Sequence, residues 1–353
     1  MISGFQFTPK DRQMFEEEFA SRLPQRMLDN HIHVWTKQCL NIPKSEYAIH
    51  KQYKPWTDYD FIEEFTIEEC QSCLSVLFPG KQMDMTCFGL PFPQVDRNRS
   101  NAYVLEHATQ QKIGFYYMPG QTEDMEATQE EKHLLENPFF LGLKPYPDLV
   151  TGGGAHASIY DMLNHSALCF AHEHQLCVVL HIPRKNRIQD PDNQRELEEI
   201  ARNYPKIRLV IAHVGRAFSY CDVVGAIDFL KKYDHVYFDT AFVDDGDVLE
   251  YLMRLVEPDK IIYGCDAPLA FTRGRDVTIN NHHYYVCDHP VPWGIAPLNP
   301  SFVDLTFYAY EQIRATLQAS HRVYGHSEKD ALEMIFRGSA LAALGKKGET
   351  IYA

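Results

Sequence analysis

The sequence predicts an α/β fold, and within that class a closed (β/α)8 (TIM) barrel with long loops after its first and eighth strands and extra helices at its C-terminal end. Three observations carry the prediction. Short apolar runs, β-branched in part, recur along the chain. Segments with helical patterning connect them, which is the signature of parallel βα units. Eight such units follow one another with no break, and that favours closure. A doubly wound open sheet would bring a glycine fingerprint at its first turn; Asn30-His31-Ile32-His33 is not one.

The elements follow in order. The first strand is Met27 to Val34. A loop rich in aromatics and prolines runs from Lys37 to Phe65. Thr66-Ile67-Glu68-Glu69 reads as a capping box that opens a helix to about Leu77. The second strand is about Met83 to Leu90, a helix spans about Asn101 to Gln111, and the third strand is Ile113 to Met118. A helix from about Thr122 to Glu136 leads to the fourth strand, Phe139 to Lys144. A glycine-rich loop, Thr151 to Gly154, precedes a helix near Ile159 to His174. The fifth strand, Leu176 to His181, is followed by a helix over about Asp192 to Asn203. The sixth strand is Ile207 to His213, with a helix near Cys221 to Lys231 after it. The seventh strand is His235 to Thr240, and a helix near Gly246 to Leu255 leads to the eighth, Lys260 to Asp266. A long loop, Pro268 to Pro300, and helices at about Phe302 to Ser320 and Glu328 to Leu344 complete a single domain over residues 1–353. Its barrel core is about 27–270 and its C-terminal loop and helices are 271–353.

Composition narrows the function. The net charge of −14 argues against nucleic acid or an anionic membrane as partner, although solubility alone accounts for such a charge. The nine cysteines are an odd number without zinc-ribbon spacing. Cys70 and Cys73 form a CxxC, but on an amphipathic helical stretch with no second pair, which reads as packing. A reducing cytoplasm is the expected compartment. The N-terminal stretch lacks a signal-peptide core, and no apolar run is long enough for a bilayer.

His31 and His33 stand two apart on the first strand, so both imidazoles aim at one face, a start on a divalent metal site. A second such pair, His172 and His174, sits in a helical stretch where residues two apart do not face each other. In a barrel the strand ends share one rim. The fourth strand ends in Lys144, the fifth in His181, the sixth in His213 and the eighth in Asp266. Arg184, Arg216, Arg273 and Arg275 follow these ends. Arginine holds carboxylates in a bidentate fork, so a carboxylate-bearing small-molecule substrate is expected, with Arg184, Arg216 and Arg275 as contacts.

These stretches resemble the amidohydrolase superfamily, and within it the amidohydrolase-related branch of hydrolases, lactonases and nonoxidative decarboxylases. The resemblance rests on Asp29-Asn30-His31-Ile32-His33, Phe140-Leu141-Gly142-Leu143-Lys144-Pro145, Val179-Leu180-His181, the run from Tyr204 to Gly215, and the run from Ile261 to Pro268. It implies one divalent metal, zinc foremost with manganese or iron as alternatives, held by His31, His33, His181 and Asp266. It also implies Asp266 and His213 as the catalytic pair. Without metal, the same two residues would serve as base and electrostatic partner, as in lactonase-like relatives. Lys144 takes the place of a lysine that is carboxylated and bridges two metals in binuclear members; the other readings are a pair with Asp266 or a substrate contact. Trp35 and the aromatics Tyr47, Tyr53, Trp56, Tyr59 and Phe61 suggest a lid or pocket wall for a ring substrate, as do His282, His283, Tyr284, Tyr285 and Trp293, or else an interface.

Three functional expectations result. The first is hydrolysis of an amide, ester or lactone by metal-activated water. The second is nonoxidative decarboxylation of an aromatic or unsaturated acid, with His213 or Asp266 delivering a proton to carbon. The third is an inactive barrel used for binding, which predicts a missing ligand. A homodimer is the default assembly.

Overall fold

A computed structural model of the chain describes residues 5–41, 64–92, 95–125, 129–288, 294–297, 299 and 303–353. Eight parallel strands form one curled sheet in sequence order: β1 (Arg26–Asp29), β2 (Gln82–Cys87), β3 (Gly114–Tyr117), β4 (Phe140–Leu143), β5 (Cys177–Leu180), β6 (Arg208–Ile211), β7 (Val236–Asp239) and β8 (Ile261–Ile262). Helices lie between them, as in a TIM barrel. Strands β3, β4, β5 and β7 are buried throughout, while β2 begins at the exposed Gln82.

The seam between β1 and β8 closes beyond the regular ladder. Asn30 N–H donates to Tyr263 O at 3.1 Å, Asp266 N–H to His31 O at 2.9 Å and His33 N–H to Ala267 O at 3.0 Å. On the other side, Phe88 N–H donates to Ile32 O and Val34 N–H to Phe88 O, at 3.0 and 2.9 Å. The buried Asp29 carboxylate pins the seam, because its Oδ1 accepts both His31 N–H and Cys265 N–H.

Two apolar layers result. The outer one lies between strands and helices, and includes Cys70 and Cys73 on the buried face of the helix Ile67–Leu77. The inner one fills the barrel with Leu28, Tyr116, Leu141, Cys177, Val179, Val210, Ala212, Tyr237 and Ile262. The C-terminal helix, Ser339–Ile351, contributes Ala340, Ala343 and Leu344 to that layer, and Tyr352 after it. The Tyr352 hydroxyl accepts Gly114 N–H and donates to Met85 O, at 2.9 and 2.6 Å, which tethers the chain end to the barrel.

Several elements differ from expectation. The Thr66–Glu69 capping box forms as read. The helix expected near Cys221 to Lys231 is replaced by two short turns, Tyr220–Val223 and Asp228–Leu230, with Gly225 at φ +72° between them. The stretch near Ile159 to His174 is two helices, Ile159–Met162 and His165–Glu173, the second capped by Asn164. Part of the expected loop after Pro268 is a three-stranded sheet: β9 (Gly274–Ile279), β10 (His282–Cys287) and β11 (Gly294–Ile295). Its hairpin turns at Asn280 and Asn281, with φ of 54° and 62°, a conformation asparagine tolerates. No helix among the described residues is long and apolar enough to cross a membrane.

Gly142 is required where β4 meets β5, since a Cβ there would lie 1.8 Å from Cys177 O. Gly142→Ala is expected to lower stability by about 1–3 kcal/mol or more, read as a lower denaturant midpoint at unchanged slope. An unchanged midpoint would show that this contact yields freely.

Candidate active site

Strand alternation carries the inner face of the barrel up to the rim. Cys177 and Val179 lead to His181, Tyr237 to Asp239, and Ile262 through Gly264 to Asp266. Gly264 leaves room for the first strand, because a Cβ on it would fall 2.6 Å from His31 Cβ. His31, His33, Lys144, His181, His213, Asp239 and Asp266 are all buried.

His31 Nε2 and His33 Nε2 converge on a single oxygen, Asp266 Oδ1, at 3.5 and 3.3 Å. The opposite ring nitrogens are engaged. His31 Nδ1 lies 2.7 Å from Asp239 Oδ2 and His33 Nδ1 lies 3.0 Å from Gly89 O. A carbonyl only accepts, so His33 Nδ1 carries a proton and Nε2 is the ring nitrogen turned toward Asp266. Asp239 imposes the same tautomer on His31. His31 Nε2 is buried and makes no hydrogen bond among the described residues. Both orientations are those of metal-binding imidazoles held from behind.

Asp239 is the residue that sequence reasoning missed. Its Oδ1 accepts the N–H groups of His213 and Ala241, at 2.8 and 3.0 Å, while Oδ2 takes His31. In the sequence it stands near the end of the seventh strand-like run, His235 to Thr240, far from the His31 it supports. His31, His33 and Asp266 form one group whose ligand atoms lie within 4.8 Å of one another, and His31, His213 and Asp239 form another. The second group is internally hydrogen-bonded, so Asp239 acts as a support. His181 belongs to neither group. Its ring centroid lies 5.0 Å from that of His213 and 4.3 Å from that of Tyr146.

Charge in this pocket is set by burial and by neighbours. Burial, then the Lys144 charge, lowers the His31 pKa. Burial, then His31, brings His213 down to about 4. Burial pushes Asp266 up, but the hydrogen bond from His33 and the charges of His31 and His213 outweigh it and hold it well below the ordinary carboxylate range. Asp239 likewise falls to about 2, through His31, His213 and Lys144 acting against burial. At neutral pH His213 is therefore neutral, and Asp239 and Asp266 are ionised. Lys144 Nζ lies 4.9 Å from the Phe88 ring centroid and 5.4 Å from that of Tyr146, without a hydrogen bond among the described residues. Burial lowers its pKa to about 8, against Asp239 and Asp266. His213 Nδ1 donates to Ala241 O at 2.7 Å, which turns its Nε2 away from that carbonyl.

His213, Val214, Gly215 and Arg216 all have positive φ, between 51° and 76°. A left-handed turn of this kind is unfavourable for valine above all, and such strain clusters at functional sites.

Three of the expected substrate contacts are engaged elsewhere or lie away from the histidines. Arg184 is taken up by Glu196, 2.7 Å away, and also donates to Asn193. Arg275 lies on the exposed face of β9, its side chain 54% exposed and 3.4 Å from Glu311. Trp35 is 0% exposed and packs in the core with its ring 6.0 Å from Phe65. Arg273 pairs with Asp11. Arg216 does lie beside the site, near Tyr146 and Tyr285. The lid residues Tyr47, Tyr53, Trp56, Tyr59 and Phe61, and Trp293, lie outside the described residues. His282 and His283 face opposite sides of β10, and His283 bonds Asp276 at 2.8 Å.

A family model described as Amidohydrolase matches residues 88–292. No curated protein matches the sequence. Among solved structures, Amidohydrolase 2 from Bifidobacterium longum subsp. infantis is similar, at 12% identity and a TM-score of 0.55, over 91% of this chain and 99% of that one. An amidohydrolase from Burkholderia multivorans with bound zinc has 10% identity and a TM-score of 0.57, over 90% and 98%. The 5-carboxyvanillate decarboxylase LigW from Sphingomonas paucimobilis has 10% identity and a TM-score of 0.53, over 91% and 99%.

The Arg184–Glu196 pair has a pH signature. Burial pushes the Glu196 carboxyl up, but the Arg184 and Ile159 hydrogen bonds outweigh it and hold the pKa below its ordinary value. A depressed carboxylate contributes stability above its unfolded pKa and loses it as pH falls through the folded one. Arg184→Ala should therefore cost about 1–3 kcal/mol at neutral pH, and the deficit should shrink below the ordinary carboxylate range. A deficit independent of pH in thermal melts would contradict this account.

Proposed function

The chain belongs to the amidohydrolase 2 family, and from that premise we propose that it is a metal-dependent hydrolase that uses water on an amide, ester or lactone of a small, carboxylate-bearing substrate. The observation that carries this reading is the convergence of His31 Nε2 and His33 Nε2 on one Asp266 oxygen, with each Nδ1 already engaged. Two imidazoles and a carboxylate suit zinc, and also manganese or iron. The buried, unbonded His31 Nε2 fits a metal ligand, because a polar atom left so is otherwise costly. His31, His33 and Asp266 would hold the ion, with His181 as the further ligand. A divalent cation supplies Lewis acidity, which polarises a substrate oxygen and lowers the pKa of water.

The remaining steps belong to the chain. Asp266, ionised across the neutral range, has its second oxygen available to take a proton from water. His213 stays neutral there and is oriented by Ala241 O. Its Nε2 carries no proton while Nδ1–H donates to Ala241 O, so it takes up the proton released from water before it stabilises an oxyanion or protonates the leaving group. Burial keeps bulk water from competing. Lys144, with its lowered pKa, has access to the neutral amine that carboxylation requires, or contacts substrate as a cation. A proton taken up from water at His213 Nε2 and delivered to carbon as the carboxylate leaves as CO2 gives nonoxidative decarboxylation, so assays of carboxylic acids should score hydrolytic product and CO2 together.

Metal analysis of protein purified without added metal or chelator is expected to find about one zinc, manganese or iron per chain. About two would assign Lys144 as a carboxylated bridge. No metal, together with no activation on adding it, would remove the proposed mechanism. Asp239→Asn should weaken metal binding by about 10–100-fold, as loss of a supporting carboxylate does elsewhere, measured by competition with a chromophoric chelator. Wild-type affinity in that variant would show that His31 needs no such support.

A further inference from the structure

Two arginines beside the site lack the carboxylate that their neighbours have. Arg184, Arg273 and Arg314 are each bonded to an acid. Arg187 and Arg216 make no ion pair among the described residues, on a chain of net charge −14. They are held next to each other. Arg187 Nη1 donates to the Arg216 carbonyl at 3.2 Å, and Arg216 Nη1 donates to the Ile182 carbonyl at 3.0 Å. The Arg187 guanidinium carbon lies 5.0 Å from the Phe218 ring centroid. Each bond goes to a neutral carbonyl, so neither charge is neutralised. Burial and the Arg187 charge both lower the Arg216 pKa, as expected of two like charges sharing a partly desolvated corner.

Aromatic rings join this corner to the histidines. Phe218 lies 6.1 Å from His213, and stacks on His283 at 4.9 Å, with Tyr285 at 6.3 Å. Tyr146 lies near Arg216 and 4.3 Å from His181. Nearby acids act on the pair by charge, Asp276 on Arg187 and Asp148 on Arg216, without an ion pair among the described residues. Asp276, on the hairpin that carries His283 and Tyr285, is bonded by His283, and Asp148 makes no ion pair with either arginine. Two unneutralised guanidiniums beside aromatic walls match an acid with a flat apolar body.

We infer that Arg187 and Arg216 form an anion subsite that takes the carboxylate of a small aromatic or unsaturated acid, flanked by Phe218, Tyr146 and Tyr285, with the reacting group of that acid at His213 and Asp266. The inference rests on the reading of the strand ends as the active site, and it assigns to Arg187 a role that the expected contacts Arg184 and Arg275 do not fill.

The test is equilibrium binding by isothermal titration calorimetry of isophthalate, benzoate, benzamide and phenyl phosphate. It is run on protein as purified and again after EDTA dialysis. Carboxylates are expected to bind at least about tenfold more tightly than benzamide. Arg187→Gln and Arg216→Lys should each lose about tenfold or more in affinity, the lysine because it keeps charge without the fork. Arg254→Ala, an exposed arginine paired with Glu250 on the Gly246–Leu255 helix, should bind as wild type. Thermal melts show whether each variant is folded, and Arg187→Lys replaces any that is not. Carboxylate affinity that survives EDTA and still depends on Arg187 supports the subsite whatever the metal content proves to be, so its failure and that of the metal reading are separable. Equal binding of benzamide and benzoate, wild-type affinity in both arginine variants, or no binding of any carboxylate would overturn it. A preference for phenyl phosphate would overturn the assignment to carboxylates.

Discussion

The closure of the barrel between its first and last strands is the constraint on which the site depends. The hydrogen bonds from Asp266 N–H to His31 O and from His33 N–H to Ala267 O close the sheet. They also fix the spacing of His31, His33 and Asp266, because the residues that make the seam are the candidate ligands. Asp29 ties both sides through one carboxylate oxygen. Burial raises the Asp29 pKa to about 7, so the seam contains a group whose charge is costly. Its two N–H partners offset part of that cost. A site assembled on a seam is as precise as the closure itself.

The pocket holds many ionisable groups in a small buried volume, and hydrogen bonds keep this from becoming a tangle of charges. Gly89 O and Ala241 O are acceptors only, so they select one tautomer each in His33 and His213. Asp239 divides its two oxygens between the His31 ring and two backbone N–H groups. The imidazoles are thereby aimed, which is what metal coordination and proton transfer both require. Their supports come from β7 and from the loops after β2 and β7, so the scaffold acts on the chemistry through atoms that touch no substrate.

Sequence made part of this legible, for physical reasons. Period-two alternation brings His31 and His33 to one side and carries His181 and Asp266 to the rim, and local pattern suffices to see that. The eight apolar runs and the Thr66 capping box are local in the same sense. Asp239 was not seen as functional because its role depends on His31, which lies 208 residues away. Arg184 looked like a rim cation, but its fate was decided by Glu196 one helix later. Trp35 read as a pocket aromatic, yet pairing with Phe65 drew it into the core. The Cys221 to Lys231 stretch has helical patterning that Gly225, in a left-handed conformation, interrupts. In each case a tertiary partner or one backbone angle overrode local preference.

The turn after β6 joins the two halves of the proposed chemistry. His213 and Arg216 are the first and last residues of one left-handed turn, with Val214 and Gly215 between them. Gly215 packs so closely on Ile188 that a Cβ would lie 2.7 Å from Ile188 Cβ, and Ile188 directly follows Arg187. Arg187 in turn donates to the Arg216 carbonyl. The proposed acid/base group and Arg216 therefore share one short stretch of backbone, and Arg187 is held against it from the loop after β5. Any displacement of the turn moves the proton-transfer group and the anion-binding group together. The strain at Val214 is intelligible on those terms: an unstrained turn would present His213 and Arg216 along different directions, and the pocket needs both.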